Sequence, residues 1–290
     1  MTALRLSGYR KRHHVHEQMR ATIQSNIRAA QDYVQTLCTP IYAVDAKGAF
    51  EGCGSGIMLD VGPRTFLVTA AHVLDLHSTT SLFLPGRPLV ELTGVSHRTF
   101  TQHLRRDDKV DLGIVELSSA TVAQVTNGTP VSADLIDLSD IPSWLSVYGF
   151  VGFPASRNKR RPGGMLQPSS VAIATTAVDT DRYSEVGASI GIHFVGEFAQ
   201  NEAIDWEKGR VTAPQPTGMS GGGVWRLGRL PELERGVPRP ALIGIGIEWH
   251  NSKRMLVAVR SSFLVASLLA CYPDAGSYLP HMPYVNVSQK

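Results

Sequence analysis

From residue 40 onward the chain is a succession of short apolar runs, each broken by Gly, Pro, Asn or Asp before it grows long enough for a helix. "IYAVD", "GSGIMLDV", "TFLVTAAHVL", "SLFLPG", "LVELTGV", "DLGIVEL", "WLSVYGFVGFP", "SSVAIATTAV", "SIGIHFVGEF", "SGGGVWRL" and "ALIGIGIEW" follow one another in this way. Runs of that length at fairly regular intervals suit strands, and no helical periodicity separates them. The pattern therefore predicts an all-β sandwich or a pair of barrels and argues against alternating helix and strand units.

Helical texture is confined to the two ends. Residues 17–37 lack Gly and Pro, and Met19, Ile23, Ile27, Val34 and Leu37 recur at near-helical spacing. Near the other end, "RSSFLVASLLACY" offers Phe263, Leu264, Ala266, Leu268 and Leu269 after a serine pair able to cap. Two segments, 155–170 and 226–240, combine charge with Pro or Gly and read as exposed loops.

Composition narrows the class. With 290 residues, 43% hydrophobic and 18% charged, the chain can bury a sizeable core and falls outside the disordered class. A net charge of +3 and basic clusters limited to 10–14 and 157–161 give no indication of a nucleic-acid face. The first residues carry no apolar run of secretory length, and no stretch reaches the ~18 apolar residues of a membrane span, so the expected location is the cytoplasm. Cys38, Cys53 and Cys271 are odd in number, which suits a reducing compartment and leaves room for one bridge at most.

Three stretches carry chemistry together. "FLVTAAHVL" sets His72 just after an apolar strand, "KVDLGIVEL" sets Asp111 at the head of another, and "GMSGGGVW" sets Ser220 on a glycine turn before a third. A serine hydroxyl becomes a nucleophile when an imidazole takes its proton, and the imidazole needs a carboxylate to fix its tautomer. Glycines beside the serine let backbone N–H groups converge where a tetrahedral intermediate places its negative oxygen. Asp107 and Asp108 are rivals to Asp111, but "RRDDK" reads as a solvated charged loop, and only Asp111 leads directly into an apolar strand.

With these stretches in the order His, Asp, Ser, the chain resembles the chymotrypsin-like serine peptidases over roughly residues 40–270. "TAAHV", "DLGIVEL" and "GMSGGGVW" are similar to that family's histidine, aspartate and nucleophile segments, and "GSGIML" and "VYGFVGFP" to two of its strands. The resemblance implies two six-stranded antiparallel β-barrels with the triad between them. It divides the chain into an N-terminal helical extension, 1–37, and a peptidase domain, 38–290. The first barrel would span about 38–135, and the second, with a C-terminal helix, about 136–290. Carried over residue by residue, His72 is general base and then acid, Asp111 orients it and Ser220 attacks the scissile carbonyl. The N–H groups of Gly218 and Ser220 form the oxyanion hole. "LIGIGIEW" takes the place of the strand along the substrate main chain, which implicates Gly246, Ile247 and Glu248.

Departures from the family pattern are informative. Met219 stands where animal digestive members have an aspartate, and no I-V-G-G segment is present, so the likeness is to bacterial and viral members. Val73 follows His72, so Cys53 has lost the bridging partner of secreted relatives. The pocket-floor position is Pro214, which cannot select a basic side chain by charge. Glu248 reads either as a pocket-wall carboxylate able to pair with Arg or Lys, or as a solvent-facing glutamate at a strand end. No cofactor or metal is expected. The expected partners are a protein or peptide substrate and a regulatory protein reached through the N-terminal helix. The competing reading is a catalytically silent module that binds through that helix or the basic loop 155–170.

Overall fold

The breaks between apolar runs become strand ends. The computed structural model describes residues 3–99, 104–138, 142–158, 166–205 and 209–281. Helix α1 (Ala3–Gln35) leads into β1 (Cys38–Val44), β2 (Phe50–Val61) and β3 (Arg64–Ala70), then the one-turn helix α2 (Ala71–Asp75). Next come β4 (Leu82–Leu84), β5 (Val90–Glu91), β6 (Ser96–Arg98), β7 (Leu112–Leu117), α3 (Ser119–Gln124) and β8 (Val131–Ser132). The second half holds β9 (Ser146–Gly152), β10 (Val171–Thr175), β11 (His193–Glu197), the hairpin of β12 (Ala203–Asp205) and β13 (Gly209–Val211), β14 (Gly223–Arg229) and α4 (Leu230–Arg235). It ends with β15 (Ala241–His250), β16 (Met255–Arg260) and α5 (Ser261–Cys271).

Two curled sheets result. In the first the order is β5-β4-β1-β2-β3-β7-β6, and β8 adds a parallel pairing to β2, which makes eight strands among the described residues instead of the expected six. The second has six, ordered β10-β9-β14-β15-β16-β11, and an antiparallel bridge between Ala177 and Gly196 draws its two edges together. Side chains from both sheets share one buried cluster, with Ile57, Phe66 and Val68 from the first beside Trp225, Leu227 and Ile245 from the second. Each such side chain removed from water contributes about 1.5–3 kcal/mol, so the seam between the sheets is a core and not a cleft filled with solvent.

Some expectations need correction. Helix α1 starts well before residue 17 and stops at Gln35, and Met19 is exposed, so the buried stripe is Ile27, Ala30 and Val34. The serine pair before α5 does not cap it: Arg260 holds the cap position, and Ser261 Oγ donates to the Leu242 carbonyl instead. Segment 226–240 is not a loop throughout, because Arg226 and Leu227 are buried in β14 and residues 230–235 form α4. Arg226 tolerates burial through its ion pair with Asp137. In the basic loop 155–170, residues 159–165, which include most of "NKRR", lie outside the described residues. All three cysteines are free, and burial pushes the Cys38 and Cys53 thiols up to about 12.

Candidate active site

Strand β3 ends where α2 begins, and the first N–H groups of a helix have no partner within it. Asp111 supplies both. Its carbonyl accepts from Ala71 N–H at 2.8 Å, and its Oδ1 accepts from His72 N–H at 2.9 Å. The remaining oxygen, Oδ2, lies 2.5 Å from His72 Nδ1. A carboxylate only accepts, so the proton of this bond sits on Nδ1 and Nε2 is left as the basic nitrogen. The Asp111 side chain is 8% exposed and that of His72 40%, which leaves the far edge of the imidazole open.

Asp111 itself has φ 43°, a left-handed conformation that costs a non-glycine residue on the order of 1–3 kcal/mol. The preceding loop holds it there. Asp108, read from the sequence as solvated, is buried and accepts from Val110 N–H, the Thr99 hydroxyl and Arg105 Nη1. Burial pushes the Asp108 carboxyl up, but hydrogen bonds from Thr99 and from the Asp111 and Val110 backbone, with the Arg105 charge, hold it below the ordinary value. Across the seam, His193 on β11 accepts from Ser189 N–H through Nδ1, so its Nε2–H donates to the Lys109 carbonyl at 2.7 Å. No sequence spacing links His193 to this loop.

Ser220 sits on the turn 217–222, which is pinned from both sheets. Ser55 N–H of β2 donates to the Ser220 carbonyl at 2.8 Å, and Ser55 Oγ donates to the Gly218 carbonyl while accepting from Phe153 N–H. On the other side Gly221 N–H donates to the Gly246 carbonyl and Gly246 N–H to that of Gly222. Gly221 has φ 85°, and a Cβ there would overlap the Ser55 carbonyl of β2 and the hydroxyl of Thr69, which lies near the end of β3 two residues before the α2 turn that carries His72. Within this turn Met219, Gly221 and Gly222 spend their N–H groups on carbonyls, whereas those of Gly218 and Ser220 meet no acceptor among the described residues. Ser220 Oγ likewise has no hydrogen bond there, so the structure joins His72 to Asp111 but leaves the His72–Ser220 link unmade. Such links are commonly long in the absence of substrate and tighten when it binds.

A pocket of about 30 Å³ opens beside Ser220, walled by Met219, Ile247, Glu248, Trp249 and Leu256. Gly246, Ile247 and Glu248 line this pocket together with Ser220, with a bulge between Gly246 and Glu248 in the β15–β16 pairing. Pro214 does not line this pocket. It faces a separate groove of about 600 Å³ alongside β10, whereas Pro216 reaches the serine pocket. Glu248 Oε2 is engaged by His250 Nε2 at 2.8 Å.

No protein-family model matches the chain, and no curated protein sequence matches it. Among solved structures it is similar to mouse neuropsin, described as a serine protease expressed in the limbic system of the brain. The TM-score is 0.50 and the identity 13%, over 81% of this chain and 95% of that one. At that identity the likeness establishes the fold: the chain is a chymotrypsin-like double barrel with a helix at each end.

Proposed function

We propose that the protein is a serine endopeptidase that cuts peptide bonds through an acyl-enzyme. The observation that carries the reading is a doubly bound His72–Asp111 couple together with the N–H groups of Gly218 and Ser220 and the Ser220 hydroxyl, none of which has a hydrogen-bond partner among the described residues. Ser220 Oγ attacks the carbonyl carbon as its proton passes to His72 Nε2. Gly218 and Ser220 N–H hold the resulting oxyanion, a contribution worth about 3 kcal/mol per donor. His72 then gives the proton to the departing amine as the C–N bond breaks, and water repeats the sequence to release the acid.

We place the catalytic unit within 38–290, in a bacterial or viral-type member of the peptidases. A reducing location such as the cytoplasm is supported by the three free cysteines. In that setting an unrestrained protease would be harmful, so narrow specificity or a regulatory protein partner completes the proposal. The test is labelling by a fluorophosphonate, in which Ser220 Oγ displaces fluoride from phosphorus. Wild type is expected to label, and Ser220→Ala and His72→Ala are not. Absence of labelling in well-folded wild-type protein under any activating condition overturns the reading in favour of a silent binding module.

A further inference from the structure

The pocket beside Ser220 is narrowed by its own walls. Trp249 on β15 and Leu256 on β16 are cross-strand partners, so their side chains occupy neighbouring positions on one sheet pair. Leu256 is buried, and the Trp249 ring is propped edge-on against Phe198 with centroids 6.4 Å apart. Between them, Ile247 and Met219, a small space of about 30 Å³ remains.

The proposed chemistry fixes what enters. With the scissile carbonyl carbon at Ser220 Oγ and its oxygen toward the Gly218 and Ser220 N–H groups, the pocket that Ser220 lines is the space assigned to the side chain on the acyl side of the bond. Ala places one non-hydrogen atom there beyond Cα and Ser two, whereas Val, Leu, Phe, Lys and Arg all need more. The Glu248 carboxylate on the wall does not change this, because a lysine or arginine stem needs more room than this small pocket leaves and His250 already engages Oε2.

Resting on the peptidase reading, we infer that the enzyme cuts after Gly, Ala or Ser, and that Trp249 and Leu256 are the specificity-determining residues that exclude larger side chains. The experiment uses the full chain and a set of peptidyl phosphonate probes that differ only in the side chain next to phosphorus: Ala, Val, Leu, Phe or Lys. An unselective fluorophosphonate is run in parallel. The Ala probe is expected to modify Ser220 faster than the Leu, Phe and Lys probes by about tenfold or more, the scale of a methylene misfit in a tight pocket. In Trp249→Ala and Leu256→Ala the order among the probes is expected to shift toward Val and Leu. Fastest modification of wild type by the Phe or Lys probe, or equal rates across the set, overturns the inference while leaving the serine reactive. If the fluorophosphonate itself fails on wild type, the peptidase reading falls and this inference with it. The wild-type series decides the matter even where a pocket variant fails to fold.

Discussion

Asp111 does three things with few atoms: its carbonyl accepts from the first N–H of α2, one carboxylate oxygen binds the His72 backbone and the other holds the imidazole. Replacing it with Asn separates these roles, because an amide preserves size but can present N–H to Nδ1 and so favour the wrong tautomer. Asp111→Asn should keep the fold, seen as an unchanged circular dichroism spectrum, and slow fluorophosphonate labelling by as much as about 10,000-fold, the cost of the same exchange in the serine protease template. Ser55 is the other small residue with large reach. Ser55→Ala strands the buried Phe153 N–H and the Gly218 carbonyl, so it should cost about 1–3 kcal/mol in urea denaturation and also slow labelling, through the loosened turn. The candidate triad was legible because each member adjoins a strand and two sit beside telltale small residues. Asp108 was misread because its charge stands in a run of charges, while the groups that bury it, Thr99 and the backbone ahead of Asp111, come from the fold. The pocket plug was illegible for a related reason: Trp249 meets Leu256 only through the bulged register of two strands.

At the level of elements, the strands were readable from the turn residues between them, but what ties one to another was not. Segment 226–240 looks like a loop by composition, yet β14 continues through it because Arg226 finds Asp137 far away in sequence. The loop that presents Asp111 is tied twice, locally by Asp108 to Arg105 and Thr99 and at long range by His193 from β11 in the second half. These ties have different pH windows. Burial lowers the His193 pKa from the ordinary 6.5, against opposing contributions from the Lys109 and Ser189 backbone and Glu248, with the Lys109 charge adding to the lowering. The unfolded chain therefore takes the proton first as pH falls. The stability contributed by neutral His193 is complete above 6.5 and is lost as the pH drops through its lowered folded value. Asp108 acts in a separate window, with its contribution complete above 3.8 and lost below that. Melting temperature followed from about pH 7.5 to 5 should fall in wild type, and His193→Gln, which retains a donor and an acceptor, should flatten that fall without removing the later loss below pH 4. An identical slope in the variant would mean that another group carries the mild-acid loss.

Across the whole molecule, each end of the chain straps the opposite half. Helix α1 feeds β1 of the first sheet but packs on the second, through Ile27, Ala30 and Val34, with Asn26 Nδ2 donating to the Leu233 carbonyl and Gln31 Nε2 to that of Ala172. The segment after α5 leaves the second sheet and returns to the first, where the Tyr272 ring lies 4.8 Å from that of Phe66 and Arg64 pairs with Asp274. The end helices were visible in the sequence, but not which half they brace, since apolar spacing does not name its partner. Crossed straps over a shared core predict that the halves unfold together, despite a length at which separate transitions are common. Ile27→Ala should cost about 2–5 kcal/mol and Tyr272→Ala about 3–5 kcal/mol, typical of large side chains removed from a core. Both should lower the urea midpoint with one transition and an unchanged slope, because the surface exposed on unfolding stays the same. Reactivity at Ser220 should vanish at that same midpoint, since the serine turn is pinned by Ser55 from one sheet and Gly246 from the other. A second transition, or loss of labelling well before the spectroscopic change, would show that the halves part first and that the straps do not unify them.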